Sequence, residues 1–329
     1  MDVVPIISGR QTRTSFGKIR PLELSLIWRK SLKKSPIVFL SLILVLLAAV
    51  PACSPKSPAL TEPKGHLFII GGGERDAPLM KRYIQIAAGF GTGKIVIFTM
   101  ASSVPNEVGP ELLTEFKGNG AREVVYCNLT HDEAMKPGSE KILDGAGGVW
   151  FSGGDQALLT AALLGTPIHK RMLELYAQGC VIGGTSAGAV VMSEFMITGN
   201  EKRTNNEEGT WEVIWADDVL HTEGFGFVKK AVIDQHFVTR RRHNRLIAVV
   251  LQNPALVGVG IEESTAVLVR PDGKYEVLGE GQVIVYDARR AKTEKSPDGH
   301  LGGHGLTMHV LLPGDVYDLV AGRVEEPSK

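Results

Sequence analysis

From residue 66 onward, short apolar runs alternate with longer segments in which apolar residues recur at helical spacing. Strand-like runs at His66–Ile70, Lys94–Met100, Glu123–Cys127, Gly148–Phe151 and Cys180–Ile182 are separated by helix-like Ala77–Ala88, Pro110–Gly118, Asp155–Leu164 and Pro167–Ala177. That alternation predicts an α/β fold with a mostly parallel central sheet flanked by helices. Two more buried-strand runs follow, at Ala231–Ile233 and Leu256–Ile261. The later segments Ala266–Arg270, Tyr275–Leu278 and Gln282–Asp287 are short, and Pro271-Asp272-Gly273 lies between the first two. Such a turn marks a hairpin, so added C-terminal β-hairpins extend the sheet or cap one end. The sequence carries no visible internal repeat.

The N-terminal pattern is different. Arg29, Lys30, Lys33 and Lys34 precede an uncharged stretch from Ser35 to Pro51, whose centre Ile37–Leu47 is strongly apolar. A basic region, a short apolar core and small residues after it read as an export signal. The core falls short of the ~20 apolar residues a membrane span needs. Val50-Pro51-Ala52-Cys53 resembles a bacterial lipobox, which makes Cys53 the candidate lipidated residue, although Pro51 is an uncommon choice there. The expected organisation is a signal peptide over residues 1–53, a Pro/Lys/Ser-rich linker over 54–64 and a single α/β domain over 65–329. This organisation implies an exported protein, either lipid-anchored at the cell surface or in the periplasm, or secreted; a plain signal anchor is the alternative.

Lys and Arg number 36 and Asp and Glu 36, so the formal net charge is zero; that balance argues against a nucleic-acid partner. Cys127 and Cys180 lie in apolar runs, where cysteine serves as a small buried hydrophobe, although an oxidising compartment would permit a disulfide between them. Gly71-Gly72-Gly73-Glu74 after the first strand invites a dinucleotide reading, but Asp76 stands where the fingerprint needs its third glycine. His300, His304 and His309 sit in a glycine-rich tail without carboxylate or strand context. No metal and no other cofactor is expected.

The chemistry concentrates around Ser186. It lies in Gly183-Gly184-Thr185-Ser186-Ala187-Gly188-Ala189, between the apolar run Cys180-Val181-Ile182 and the helix-like Val190–Glu194. A serine at a sharp strand-to-helix turn is exposed as a nucleophile, with small residues two positions either side where larger ones would collide. The Ala187 N–H at the helix start is the natural oxyanion donor. The alternative is a tight turn in which serine only caps the helix. A serine hydroxyl needs a base, and His236 in Asp234-Gln235-His236-Phe237 follows the run Ala231–Ile233. An orienting acid is available in Glu262-Glu263, after Leu256–Ile261; a core histidine and a solvated loop are the competing readings.

Gly153-Gly154-Asp155-Gln156, the Ser186 turn, Asp234–Phe237 with Arg240, Arg242 and Arg245, and Gly260-Ile261-Glu262-Glu263-Ser264-Thr265-Ala266 together resemble the cyanophycinase family, in its order, over about residues 66 to 287. The resemblance implies a glutamine amidotransferase-like fold, a homodimer and a serine exopeptidase. Its substrate would be cyanophycin, a poly-aspartate chain bearing arginine on each β-carboxyl, cut to β-Asp-Arg dipeptides through an acyl-enzyme. It implies Ser186 as nucleophile, His236 as general base and Glu263 as its orienting acid, with Glu262 where the family usually has Asp. Gln156, Asp234, Gln235, Arg240, Arg242 and Arg245 correspond to its substrate pocket, and Gly154 in the Gly153-Gly154 turn is a second candidate oxyanion donor. Guanidinium groups suit the α-carboxylate of a poly-aspartate end, while the substrate's own arginines call for an acidic subsite that no motif places. Two rivals remain: an aspartyl dipeptidase-like enzyme acting on short Asp-containing peptides, and a non-enzymatic lipoprotein that binds peptides.

Overall fold

A computed structural model of the chain describes residues 62–203 and 212–325. The expected signal peptide, Cys53 and residues 54–61 of the linker lie outside the described residues. Among the described residues, no helix is long and apolar enough to cross a membrane.

The first half alternates as the hydrophobic pattern demands. In order come β1 (Leu67–Ile70), α1 (Ala77–Ala88), β2 (Lys94–Phe98), α2 (Pro105–Gly118), β3 (Val124–Cys127), α3 (His131–Ala134), β4 (Ala146–Phe151), α4 (Gln156–Leu163), α5 (Pro167–Gln178) and β5 (Val181–Thr185). β3, β2, β4, β5 and β1 lie side by side in that order, all parallel. Every residue of β4 is buried, as a strand covered by helices on both faces requires. On one face Tyr83, Phe116 and Trp150 meet edge to face; on the other Phe98 stacks on Phe151.

Three local results differ from or refine the sequence pattern. α2 begins at Pro105 and not at Pro110, which lies inside the helix past its first turn, where the ring forgoes a ladder bond to the Asn106 carbonyl. Asp76 caps α1, its carboxylate accepting a 2.8 Å bond from the Leu79 N–H. The residue that breaks the dinucleotide fingerprint is therefore a helix cap. Cys127 and Cys180 are free and buried, and burial raises each thiol to about 12. Cys127 ends β3 and Cys180 precedes β5, with two strands between; at ~4.8 Å per strand they are beyond disulfide reach.

The second half runs α6 (Ala187–Val190), β6 (Phe195–Glu201), β7 (Val219–Glu223), β8 (Ala231–Asp234), α7 (His243–Gln252), β9 (Val257–Ile261), β10 (Thr265–Val269), β11 (Lys274–Gly279) and β12 (Val283–Asp287). It closes with β13 (Lys292–Lys295), β14 (Leu301–His304), β15 (Thr307–Leu311), β16 (Val316–Asp318) and β17 (Arg323–Val324). β10, β11, β16 and β17 extend the large sheet beyond β1 as antiparallel strands, giving nine strands in all. The hairpin expected at Pro271–Gly273 joins β10 to β11. β8 and β9 instead belong to a second sheet of order β15-β12-β9-β8, whose core with α7 includes Phe237, Leu246, Val250, Ile284 and Tyr286. Residues Glu262–Ser264, between β9 and β10, carry the chain from the second sheet to the first.

Candidate active site

The site lies at the carboxyl ends of β1, β4 and β5, where an α/β sheet leaves backbone groups free of the ladder. Ser186 leaves β5 with φ 55° and ψ −114°, a conformation few side chains tolerate. The helix after it is a single turn, Ala187–Val190, and not the longer segment expected through Glu194. Its dipole is correspondingly small, and its contribution rests on the Ala187 N–H, which as first residue of the turn has no intrahelical partner. The small residues behave as expected. A Cβ on Gly184 would strike the backbone of Gly188, and one on Gly188 would strike that of Phe151.

Ser186, His236 and Glu263 form a hydrogen-bonded line. His236 Nε2 lies 3.0 Å from Ser186 Oγ, and Nδ1 lies 2.5 Å from Glu263 Oε1. Burial lowers the His236 imidazole below its ordinary value, Arg240 and Arg242 add to that, and Glu263 opposes it. The ring is therefore neutral at pH 7 and able to accept a proton. Glu262 turns the other way: its carboxylate accepts the Val238 N–H, the Thr239 N–H at 3.0 Å and the Thr239 hydroxyl at 2.5 Å. Burial acts to raise its carboxyl, and those hydrogen bonds outweigh burial and leave it lowered. Of the two adjacent acids, Glu263 reaches the imidazole and Glu262 caps the turn that carries it.

The other expected residues separate into two groups. The Gln235 side chain lies beside the serine, its Oε1 3.5 Å from Ser186 Oγ. Arg240 is exposed and its N–H bonds to His236 O at 2.9 Å. Arg242 is buried, donating from Nη1 to Gln235 O at 2.8 Å; burial, then Arg245, lowers it to about 10. Asp234 and Arg245 are turned on each other: both are buried, Arg245 Nε donates to Oδ2 at 2.7 Å and its Nη2 to Oδ1. Asp234 Oδ1 also accepts the Gln235 N–H at 2.8 Å, so this pair fixes the backbone before His236. Gln156 is buried and donates to Ile197 O at 2.9 Å, tying α4 to β6. Of the Gly153-Gly154 turn, Gly153 faces the serine, its Cβ position 3.4 Å from Ser186 Cβ, while that of Gly154 points at the Ala101 carbonyl.

The model of peptidase family S51 matches residues 68–277. The chain belongs to that family. This S51 chain is 30% identical over 284 residues to the cyanophycinase of Nostoc sp., an alignment covering 82% of it and 92% of the relative. To the cyanophycinase of Synechococcus elongatus it is 32% identical over 272 residues, 80% and 81% of the two chains. A crystal structure of a peptidase from an acI-B1 Actinobacterium shares the fold, with a TM-score of 0.59 at 21% identity over 78% of this chain and 98% of that one. The S51 chain is a serine-type peptidase.

In this S51 peptidase the sequence pattern hid one component, the loop Gly71–Gly73. Three successive carbonyls at the end of β1 hold the three site segments: Ile70 O accepts the Ser186 N–H at 3.0 Å, Gly71 O the His236 N–H at 2.7 Å and Gly72 O the Ser264 N–H at 2.9 Å. A Cβ on Gly72 would lie 2.8 Å from His236 Nδ1 and nearer still to Cε1 and Nε2, and Gly72 has φ +108°. The imidazole rests flat on a glycine. A triplet of glycines directly after the first strand was the available signal, and its resemblance to a nucleotide motif concealed it.

Proposed function

We propose that this peptidase is a serine exopeptidase of cyanophycin that releases β-Asp-Arg dipeptides through an acyl-enzyme. The observation that carries the reading is the Ser186–His236–Glu263 line, with Nε2 at 3.0 Å from Oγ and Nδ1 on Glu263. Ser186 Oγ attacks the peptide carbonyl as His236 Nε2 takes its proton. The tetrahedral oxyanion is met by the Ala187 N–H and the Gly153-Gly154 turn. His236 then protonates the leaving amine as the C–N bond breaks, and a water deprotonated by the same ring releases the acyl group. Glu263 fixes the tautomer and stabilises the imidazolium.

The names of the relatives from Nostoc sp. and Synechococcus elongatus support the choice of polymer. Arg240 is the exposed guanidinium of the cluster suited to a terminal carboxylate, because Arg245 and the buried Arg242 both pair with Asp234. We place the enzyme outside the cytoplasm on the leader pattern and Cys53. The test is to incubate the full chain and its Ser186→Ala variant with cyanophycin and follow soluble products by mass spectrometry. β-Asp-Arg from the parent alone supports the proposal, and a folded parent that releases none removes it.

A further inference from the structure

Between the end of β1 and the cap of α1 the chain has three glycines and only two residues with side chains, Glu74 and Arg75. The glycines cannot anchor themselves, because they have no side chain to pack and more backbone freedom than any other residue. Yet this stretch touches both partners of Ser186 in the hydrogen-bonded line. Its Gly71 and Gly72 carbonyls accept the His236 and Ser264 N–H groups at 2.7 and 2.9 Å. The His236 imidazole rests on Gly72, and a Cβ on Gly73 would lie 2.7 Å from that of Glu263. A loop that sets a base and its orienting acid must itself be held from outside.

Arg75 is the residue that reaches out. Its Nε donates to Glu115 Oε1 at 3.0 Å and its Nη2 to Oε2 at 2.6 Å, a two-bond fork across 40 residues of sequence. The two side chains are 23% and 24% exposed, so the pair is better shielded than an ordinary surface ion pair, and two parallel bonds fix a direction as well as a distance. Glu74 is exposed and makes no ion pair among the described residues. With Asp76 capping α1 just beyond, the loop runs from β1 to a fixed point on α2. Arg75 and Glu115 also line a cavity of about 320 Å³ that opens on Ser186, which makes contact with substrate the competing role. Against it, the guanidinium edge that grips a carboxylate side-on is spent on Glu115, and both Glu115 oxygens are engaged.

We infer that the Arg75–Glu115 pair is a positioning clamp: by tying the glycine loop to α2 it holds Gly72 under His236, and so sets the distance from the imidazole to Ser186. This role rests on the Ser186–His236–Glu263 line being the catalytic one, so its test includes a readout that needs no turnover. Amide hydrogen exchange is followed by nuclear magnetic resonance in the full chain and in its Glu115→Ala variant, where alanine keeps α2 helical. Loss of the clamp should speed exchange at the His236 and Ser264 amides by about tenfold to a hundredfold, the worth of a charge-assisted hydrogen bond, and leave the amides of β4 unchanged. Glu111→Ala removes a carboxylate from the same cavity, one turn earlier on α2, without touching the pair; it should leave both sets unchanged. Unaltered His236 and Ser264 amides in Glu115→Ala, or a uniform rise that reports only global stability, overturn the clamp. On a chromogenic β-aspartyl peptide, Glu115→Ala should lower kcat about tenfold with KM within about twofold. Added to Gly72→Ala, where the ring is already displaced, it should cost less than about threefold more. A raised KM at unchanged kcat assigns the pair to substrate binding, and fully additive losses place its effect elsewhere; both remove the positioning role. Hydrolysis of the peptide or of cyanophycin by the parent, lost in Ser186→Ala, reads the underlying line separately: a parent that hydrolyses neither removes that line as catalytic and leaves the exchange rates to decide the clamp.

Discussion

Gly72→Ala isolates the contact on which the proposed base rests. The added methyl would stand 2.8 Å from His236 Nδ1 and closer to Cε1 and Nε2, whereas an ordinary carbon contact is about 3.5 Å or more. The ring must retreat by roughly 1 Å, and a displacement of that size costs about 10²-fold when it separates a base from its nucleophile. It has no compliant direction, because Nε2 is aimed at Ser186 and Nδ1 is fixed by Glu263. The φ of +108° adds a backbone penalty of about 1–2 kcal/mol. Gly273→Ala separates the two effects: Gly273 has φ +77° with nothing within 4 Å of its Cβ position, so it carries the backbone penalty without the collision. The assay pairs kcat on a chromogenic β-aspartyl peptide with the urea midpoint of each variant. Both should lose the backbone penalty, Gly72→Ala somewhat more through the collision, and Gly72→Ala alone should lose about 10²-fold in kcat. Full kcat in Gly72→Ala, or an equal loss in Gly273→Ala, would refute the argument that the loop sets the imidazole.

Glu263→Gln should lower kcat by up to about 10⁴-fold, as removal of the orienting acid does in such triads, while Glu262→Gln should cost less than about tenfold; matched losses would mean the two acids had been assigned the wrong way round. The imidazole works as a base when neutral, so kcat/KM should rise with pH through a midpoint below 6.5, the side to which burial and then Arg240 and Arg242 move it. Arg240→Ala removes one of those positive charges, so the acid limb should shift to higher pH at low salt and by less at high salt; a downward shift contradicts the stated cause. Asp234→Ala removes the buried carboxylate that Arg245 and Arg242 share and should cost about 3–5 kcal/mol in urea denaturation. Replacing Asp234 and Arg245 together by apolar residues should return much of that loss, and a neutral single variant would show that the pair holds nothing in place.

The parallel half of the fold was legible because its strands are buried on both faces and so read as unbroken apolar runs; Gly148–Phe151 and Cys180–Ile182 fall within or against β4 and β5. The turn at Ser186 was legible for a related reason: the small residues around it avoid backbone collisions that any strand-to-helix turn of this kind meets. Sheet membership was not legible. Ala231–Ile233 and Leu256–Ile261 look like every other buried strand, and only the pairing of β9 with β12 assigns them to a second sheet. Long-range side-chain pairing was equally hidden: nothing in the spacing of Arg240, Arg242 and Arg245 says that the last is spent on Asp234. Glu262 and Glu263, adjacent in sequence, point to opposite tasks because the chain turns between β9 and β10 at these residues.

The proposed nucleophile rides on the larger sheet, while its base follows a strand of the smaller one and the orienting acid lies in the connection between them. His236 is 50 residues beyond Ser186, and Glu263 a further 27. During synthesis from the N-terminus, the serine can therefore emerge with its strand and turn complete and still have no imidazole beside it. The loop after β1 must wait longest, since Gly72 O is engaged only when Ser264 and the β10 strand arrive. Competence consequently waits on β10, and a chain interrupted before it carries the hydroxyl without the full means to activate it.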